Sequence, residues 1–123
     1  RHGIMTTTTF TTVCEPGAVV ILLVEYTNRR GRGQRPAVVV SVDPYHRQRN
    51  DTVIVAITSQ NLNAPLFGDC IIQHWQSAGL NIPSKAKGVI ATVERREVHK
   101  RIGTLTQEDF DRLRQSMRDI MGL

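Results

Sequence analysis

Short runs of branched apolar residues, each followed by a polar turn, are the feature that most constrains the fold. The runs at residues 18–25, 36–42 and 52–58 are too short for typical helices and are rich in Val and Ile, which favour pleated surfaces. Two shorter runs follow at residues 69–74 and 89–94. Because no helical pattern separates these strands, the sequence predicts a mainly β domain built on an antiparallel sheet or small barrel.

The last segment has the periodicity of an α-helix instead. Thr106 is a suitable N-cap, acidic residues follow it in the first turn, and Gly122 is a suitable stop. One helical face carries the apolar residues Phe110, Leu113, Met117, Ile120 and Met121. This C-terminal helix is predicted to pack on the sheet, which is a commoner role for such a face than holding a cofactor.

The chain of 123 residues fits one domain, which we predict at residues 16–123. Residues 1–15 are expected to be an expression-vector remnant followed by a flexible, threonine-rich tail. Cys14 and Cys70 are isolated from each other and from histidine pairs, so both are predicted to be reduced core thiols. No secretory signal or membrane-length apolar run is visible, so a cytoplasmic location is expected.

The charge balance favours a polyanionic partner without proving one. The formal net charge is +5, and 13 of the 16 basic residues are arginines. A guanidinium group binds phosphate through two parallel hydrogen bonds and stacks on bases. The histidines have no metal-ligand spacing, so no metal site and no cofactor are predicted from His2, His46, His74 and His99.

A polar cluster is predicted where the second strand begins and the third strand ends. If these strands are antiparallel neighbours, Arg35 lies near Thr58, and Ser59 and Gln60 follow at once. A guanidinium beside a hydroxyl is a reasonable site for a phosphodiester. From spacing alone, a solvated strand edge and an ordinary turn remain equally open explanations.

Three segments, RPAVVVS, VIVAITS and IGTL, occur in this order within residues 16–123. Together with PGAVVILLVEY and GLNIPSKAKGVIATVERREV, they resemble the MazF/PemK family of type II toxin–antitoxin toxins. The resemblance implies a strongly curved, antiparallel, SH3-like barrel with a C-terminal α-helix, as in CcdB and MazF. It also implies a homodimer and a cognate antitoxin whose acidic, disordered segment folds across the RNA groove.

The resemblance further implies an endoribonuclease that cleaves single-stranded RNA without a metal. Arg35 and Thr58 match family positions, and Ser59 is adjacent to Thr58. In such a reaction the substrate's own 2′-hydroxyl attacks the phosphate, giving 2′,3′-cyclic phosphate and 5′-hydroxyl ends. Arg35 would stabilise charge, and Thr58 and Ser59 would donate hydrogen bonds. Glu25 is a candidate general base, or else a solvated strand-end charge.

A glycine-containing basic loop before the second strand is expected to track the RNA strand, or else to be a solvated charge run. The predicted RNA-binding residues are Arg29, Arg30, Arg32, Gln34 and Gln60.

Two other functions stay open at this point. One is a CcdB-like gyrase poison, although such proteins act through a C-terminal tryptophan and Trp75 of this chain is internal. The other is a non-catalytic SH3-like module that binds RNA or an acidic peptide. Loss of cleavage on replacing Arg35, with the fold intact, would distinguish the nuclease from the binding module.

Overall fold

The computed structural model describes residues 13–25 and 32–123. Within them the strands are β1 (Ala18–Glu25), β2 (Arg32–Val39), β3 (Asp51–Thr58), β4 (Cys70–Ile72), β5 (Ser84–Glu94) and β6 (Val98–Thr104). The helices are α1 (Asp43–Gln48) and α2 (Gln107–Met121), and a 3₁₀ turn at Arg95–Glu97 joins β5 to β6.

The strands form one antiparallel sheet in the order β4-β5-β3-β2-β1-β6. In the part of the chain that the structure describes, β4 and β6 are the two edges, so the sheet is not closed into a complete barrel. The predicted mainly β fold with a C-terminal helix is confirmed.

Two clusters of buried side chains hold the sheet together. Val19 and Val38 belong to the cluster that contains Leu113 of α2, whereas their neighbours Val20 and Ala37 belong to the second cluster. Successive side chains of a strand point to opposite faces. Strands β1 and β2 are therefore buried on both faces, which explains why their apolar runs are nearly unbroken.

The second strand differs from its predicted span of residues 36–42, because it runs from Arg32 to Val39. Proline was expected only at the strand start, yet Pro36 lies inside β2. The N–H of Val40 donates to the carbonyl oxygen of Val53 on β3. Because successive backbone N–H groups of a strand point to opposite neighbours, the nitrogen of Pro36 also faces β3. The pairing of β2 with β3 begins only at Ala37, so the missing N–H of Pro36 leaves no ladder bond unmade.

Three other predictions need correction. The fifth strand begins at Ser84 rather than residue 89, and β6 was not predicted at all. The expected turn at Asp43 is the short helix α1. The first half of β5 contains a buried lysine, and edge strand β6 buries little beyond Val98, so neither has the apolar alternation that identifies a strand.

Helix α2 has the predicted ends. The Thr106 side chain accepts a hydrogen bond from the Asp109 N–H, and Gly122 takes the left-handed conformation at φ 71°. The expected apolar face packs on the core through Phe110, Leu113 and the partly buried Met117. Phe110 and Leu113 are buried, but Ile120 and Met121 are 37% and 54% exposed because the helix extends past the core.

Backbone touches backbone where the turn before β5 meets β6. A Cβ atom on Gly103 would lie 2.2 Å from the Ala78 carbonyl oxygen, and one on Gly79 would lie 2.1 Å from the Ile102 carbonyl oxygen. No side chain fits in either place. This contact explains the glycine of the IGTL segment.

Both cysteines are free and buried, as predicted. Burial raises the pKa of Cys14 to about 12, although the neighbouring Thr52 hydroxyl and the charges of Arg95 and Arg101 oppose the shift. Packed structure therefore begins before residue 16. The rest of the predicted tail, residues 1–12, lies outside the described residues. Among residues 13–25 and 32–123, no helix has the length and apolar character needed to cross a bilayer.

Candidate functional site

The register of β2 and β3 brings together the two residues on which the sequence prediction depends. Ala37 pairs with Ala56 in an antiparallel ladder. Continuing this register by two residues places Arg35 opposite Thr58, with both side chains on the same face. The strand pairing agrees with the predicted proximity, and both that proximity and the chemical roles of these residues stay predictions.

Both residues line a groove of about 870 Å³. Gln34, Ser59 and Gln60 line the same groove, so five of the predicted site residues share one surface. Arg35, Gln34, Ser59 and Gln60 are exposed, and Thr58 is half-buried. The arrangement leaves these side chains accessible to a ligand in the groove.

Local hydrogen bonds orient this cluster. The backbone N–H of Gln60 donates to Thr58 Oγ1 at 3.1 Å, and Arg35 Nη1 donates to the Gln34 carbonyl oxygen at 3.3 Å. A hydroxyl has one donor and two acceptor positions. Because Thr58 Oγ1 accepts the backbone N–H of Gln60, the hydroxyl hydrogen of Thr58 can be donated to a different group.

The remaining predicted residues lie near the start of β2. Arg29 and Arg30 are outside the described residues. Arg32 pairs through its backbone with Glu25 at the end of β1. The structure describes neither of their side chains, so the roles proposed for Arg32 and Glu25 stay predictions.

Sequence reasoning missed several residues of the groove wall. Lys87 lines the groove because the register between β3 and β5 shifts around residues 87–89. Glu97 supplies a carboxylate, and Asn81 and Ile82 belong to the turn before β5. Neither a register shift nor the path of a turn has a local sequence signature, so no signal pointed to these four residues.

The described groove is suited to an extended anion. Arg35 and Lys87 supply positive charge, and Thr58, Ser59 and Gln60 supply hydrogen-bond donors. The described histidines do not line it, since His46 is buried beside Ser41 and His74 contacts Glu108. Within residues 13–25 and 32–123, no three His, Cys, Asp or Glu side chains are grouped as metal ligands.

Several solved structures have the same fold. MazF in a MazE–MazF crystal structure from Deinococcus radiodurans superposes with a TM-score of 0.70 at 18% identity, covering 90% of this chain and 98% of that chain. An endoribonuclease in complex with its cognate antitoxin from a mycobacterial species gives 0.69 at 17% identity, covering 89% and 95%. Mycobacterium tuberculosis toxin MazF-mt6 gives 0.66 at 16% identity, covering 85% and 97%.

Sequence comparison identifies the family. No significant match was found among curated proteins. Residues 15–121, however, match the sequence model of the PemK-like, MazF-like toxins of type II toxin–antitoxin systems. The match spans the whole sheet and all of α2. The chain therefore belongs to this family of PemK-like, MazF-like toxins.

Proposed function

We propose that this toxin is a metal-independent endoribonuclease that cleaves single-stranded mRNA in the cytoplasm. The supporting observation is that Arg35 and Thr58, which belong to neighbouring antiparallel strands, line one accessible groove. Known toxins of this family are endoribonucleases, and the two residues occupy the matching positions. Among the structural relatives named above, one is described as an endoribonuclease in complex with its cognate antitoxin, and another is a MazE–MazF structure.

The proposed reaction needs little apparatus because the RNA supplies its own nucleophile. The 2′-hydroxyl gives its proton to a base and attacks the adjacent phosphorus, and the P–O5′ bond then breaks; the leaving 5′-oxygen takes a proton from water, so the products are a 2′,3′-cyclic phosphate and a 5′-hydroxyl. Arg35 stabilises the negative charge of the phosphorane, since a guanidinium does not readily give up its proton. Thr58 and Ser59 donate hydrogen bonds to the non-bridging oxygens. Glu25 remains the candidate base.

The rest of the groove is proposed to position the RNA strand. Phosphate contacts from Arg29, Arg30 and Arg32 would give affinity that falls with salt, and Gln34 and Gln60 would contact sugar or base. The structure adds Lys87 to this set because it lines the groove beside Gln60. Splayed bases would then be read by the exposed side chains around the cleavage point.

An antitoxin is the expected protein partner. We propose that an acidic, disordered antitoxin segment occupies the same basic groove and excludes RNA. Such a segment is suited to the arginine and lysine side chains of the groove, and its ordering on binding allows it to follow an extended surface.

We also propose a homodimer that uses an exposed apolar patch beside the end of α2. Leu66 and Phe67 are 76% and 79% exposed, and Ile120 packs beside the adjacent Gly68. Exposed apolar residues grouped in this way favour a protein interface. We expect sedimentation velocity to give the mass of a dimer and a Phe67→Ser variant to shift it toward the monomer. A monomeric parent protein at micromolar concentration would contradict the dimer.

The experiment that tests the activity uses purified protein and a long unstructured RNA in excess EDTA, followed by mapping of the fragment ends. We expect fragments with 2′,3′-cyclic phosphate and 5′-hydroxyl ends. Intact RNA under these conditions would contradict the proposed function. The bases that flank the cut sites would define the sequence preference.

The two alternatives give different outcomes. A gyrase poison would leave the RNA intact and trap gyrase on DNA; the partly buried Trp75 packs against the core here, which does not favour that mode of action. A binding module would retain RNA in a salt-dependent manner without cleaving it.

A further inference from the structure

A buried ion pair lies behind the end of β3. Lys85 Nζ is 2.8 Å from Asp69 Oδ2, and the two side chains are only 5% and 6% exposed. Lys85 pairs with Thr58 in the β3–β5 register, and Asp69 immediately precedes β4. Desolvation offsets much of the attraction in such a pair, so its net contribution to stability is small. The Lys85–Asp69 pair matters here because it holds the segment between β3 and β4 in place.

The pair fastens the segment between β3 and β4, which we call the 59–69 loop. Lys85 Nζ donates to the Asn61 carbonyl oxygen at 3.0 Å. The carboxylate of Asp69 accepts from the N–H of Leu66 at 2.9 Å and from the N–H of Gly88 at 2.8 Å. The loop is thus tied at two points to the same pair, and through Gly88 to β5.

The ionisation of Asp69 is consistent with this role. Burial raises the pKa of the Asp69 carboxyl. The hydrogen bonds from Lys85, Leu66 and Gly88, together with the charge of Lys85, lower the pKa by more than burial raises it. The pKa of Asp69 therefore lies below its ordinary value of 3.8. Asp69 is therefore ionised at neutral pH, and the network is intact under the conditions in which the proposed reaction would run.

The anchored part of the loop adjoins the groove. Asn61 has φ 55°, a left-handed conformation that is uncommon outside glycine, and it directly follows Gln60. Gln60 in turn donates its N–H to Thr58 Oγ1. Lys85 and Asp69 line a second hollow of about 460 Å³ that shares Thr58, Gln60 and Lys87 with the groove. The anchor at Asn61 therefore fixes the direction of residues 58–60.

We propose that Lys85 and Asp69 are positioning residues that hold Thr58, Ser59 and Gln60 in the orientation that RNA cleavage requires. The inference rests on the proposed nuclease activity. The two charged side chains are nearly inaccessible, so their effect is transmitted through the 59–69 loop. Placement matters to rate because a shift of about 1 Å in a reacting group can cost about 100-fold.

The test compares a double variant with a matched control. Lys85→Met combined with Asp69→Asn removes both charges and leaves no unpaired buried ion. Arg96→Met breaks the exposed Arg96–Glu94 pair, whose N···O distance is 2.6 Å, at the far end of β5. We expect the double variant to unfold cooperatively and to lose about 10- to 100-fold in single-turnover rate at saturating RNA, with KM changed by less than about 3-fold. The Arg96→Met control should have the same cooperative unfolding, single-turnover rate and KM as the parent protein.

Two further measurements separate positioning from general damage. Faster hydrogen exchange at the Leu66 and Gly88 amides would report release of the loop, and Lys85→Arg, which keeps the cation, should retain most of the rate. If the double variant does not fold, Asn61→Val, which disfavours the left-handed backbone at this position and leaves both charged side chains unchanged, should also lower the saturating rate.

The outcomes that overturn the inference are distinct from failure of the activity itself. A folded double variant with released loop amides and a rate within about 3-fold of the parent overturns the positioning role. So does a rise in KM at unchanged saturating rate. An inactive parent protein would instead overturn the nuclease function, and with it this inference.

Discussion

The two ends of the β2–β3 pair carry similar residues but differ in what those residues contact. At the α1 end, Ser41 Oγ lies 2.6 Å from His46 Nε2 and accepts from the Val53 N–H at 2.9 Å. Arg95 donates to the His46 carbonyl oxygen at 2.9 Å. At the groove end, Arg35 and Gln60 are exposed beside the half-buried hydroxyl of Thr58.

This difference shows that burial, more than residue type, distinguishes a structural polar cluster from a candidate ligand site. Arginine and hydroxyl side chains occur at both ends. At the α1 end both contact buried His46, Ser41 at its ring and Arg95 at its backbone carbonyl, so they contribute to folding. At the groove end comparable groups face solvent, where they are accessible to a phosphodiester.

The largest expected effect is on activity, at the groove end. Arg35→Ala should lower the single-turnover cleavage rate by about 100- to 1000-fold, because the charge that stabilises the phosphorane is lost. The free energy of unfolding should change by less than about 0.5 kcal/mol, since Arg35 is exposed. Cleavage kinetics and urea denaturation measure the two quantities.

The matched control for Arg35 is Arg49→Ala at the α1 end. Arg49 is also exposed, with its guanidinium 3.9 Å from the carboxylate of Asp51. Its replacement should leave the cleavage rate unchanged. Equal losses of rate in both variants would mean that diffuse positive charge, rather than the groove, drives the activity.

A smaller effect, on stability, is expected at the α1 end. Ser41→Ala leaves the Val53 N–H and the His46 ring nitrogen without this partner, which should cost about 1–3 kcal/mol in the free energy of unfolding. Cleavage at a temperature where the variant is folded should match the parent. Ser77→Ala, which removes only an exposed hydroxyl contact with the His74 carbonyl, is the control. A slower reaction at unchanged stability would contradict the division between the two ends.

The smallest effect is a pH dependence of stability. Burial lowers the pKa of His46 below 6.5; Asp43 opposes this shift and Arg95 adds to it. The unfolded chain therefore binds a proton at His46 before the folded chain does, so the free energy of unfolding falls as pH drops from about 6.5 toward the folded pKa. Urea midpoints between about pH 7.5 and 5.5 measure this slope. His46→Gln should reduce it, and exposed His99→Gln should not.

Local pattern was sufficient for β1, β3 and α2. The apolar runs of β1 and β3 identified them directly, and Thr106 and Gly122 marked the helix ends. It was insufficient where burial depends on a distant partner. Lys85 makes β5 look like a turn, because only its pairing with Asp69 allows a lysine to be buried there.

The site was predictable to the extent that it follows from strand pairing. Assuming antiparallel neighbours was enough to predict that Arg35 and Thr58 share a surface, and both line the groove. Lys87 was not predictable, because its place in the groove depends on the register shift in β5. The anchoring of Asn61 by Lys85 was equally inaccessible, since it depends on how the 59–69 loop folds back over β5.

The glycine contact between Gly79 and Gly103 has a consequence for how the groove of this chain can be altered. At part of the groove wall, direct backbone contact sets the distance between the turn before β5 and strand β6. Carbonyl oxygens occupy the places where the Cβ atoms of other residues would lie. That spacing cannot be adjusted by exchanging one amino acid for another at either glycine. In this chain, the width and chemistry of the groove are therefore more readily altered at flanking positions such as Asn81 and Ile82, whose side chains are exposed and line the same groove.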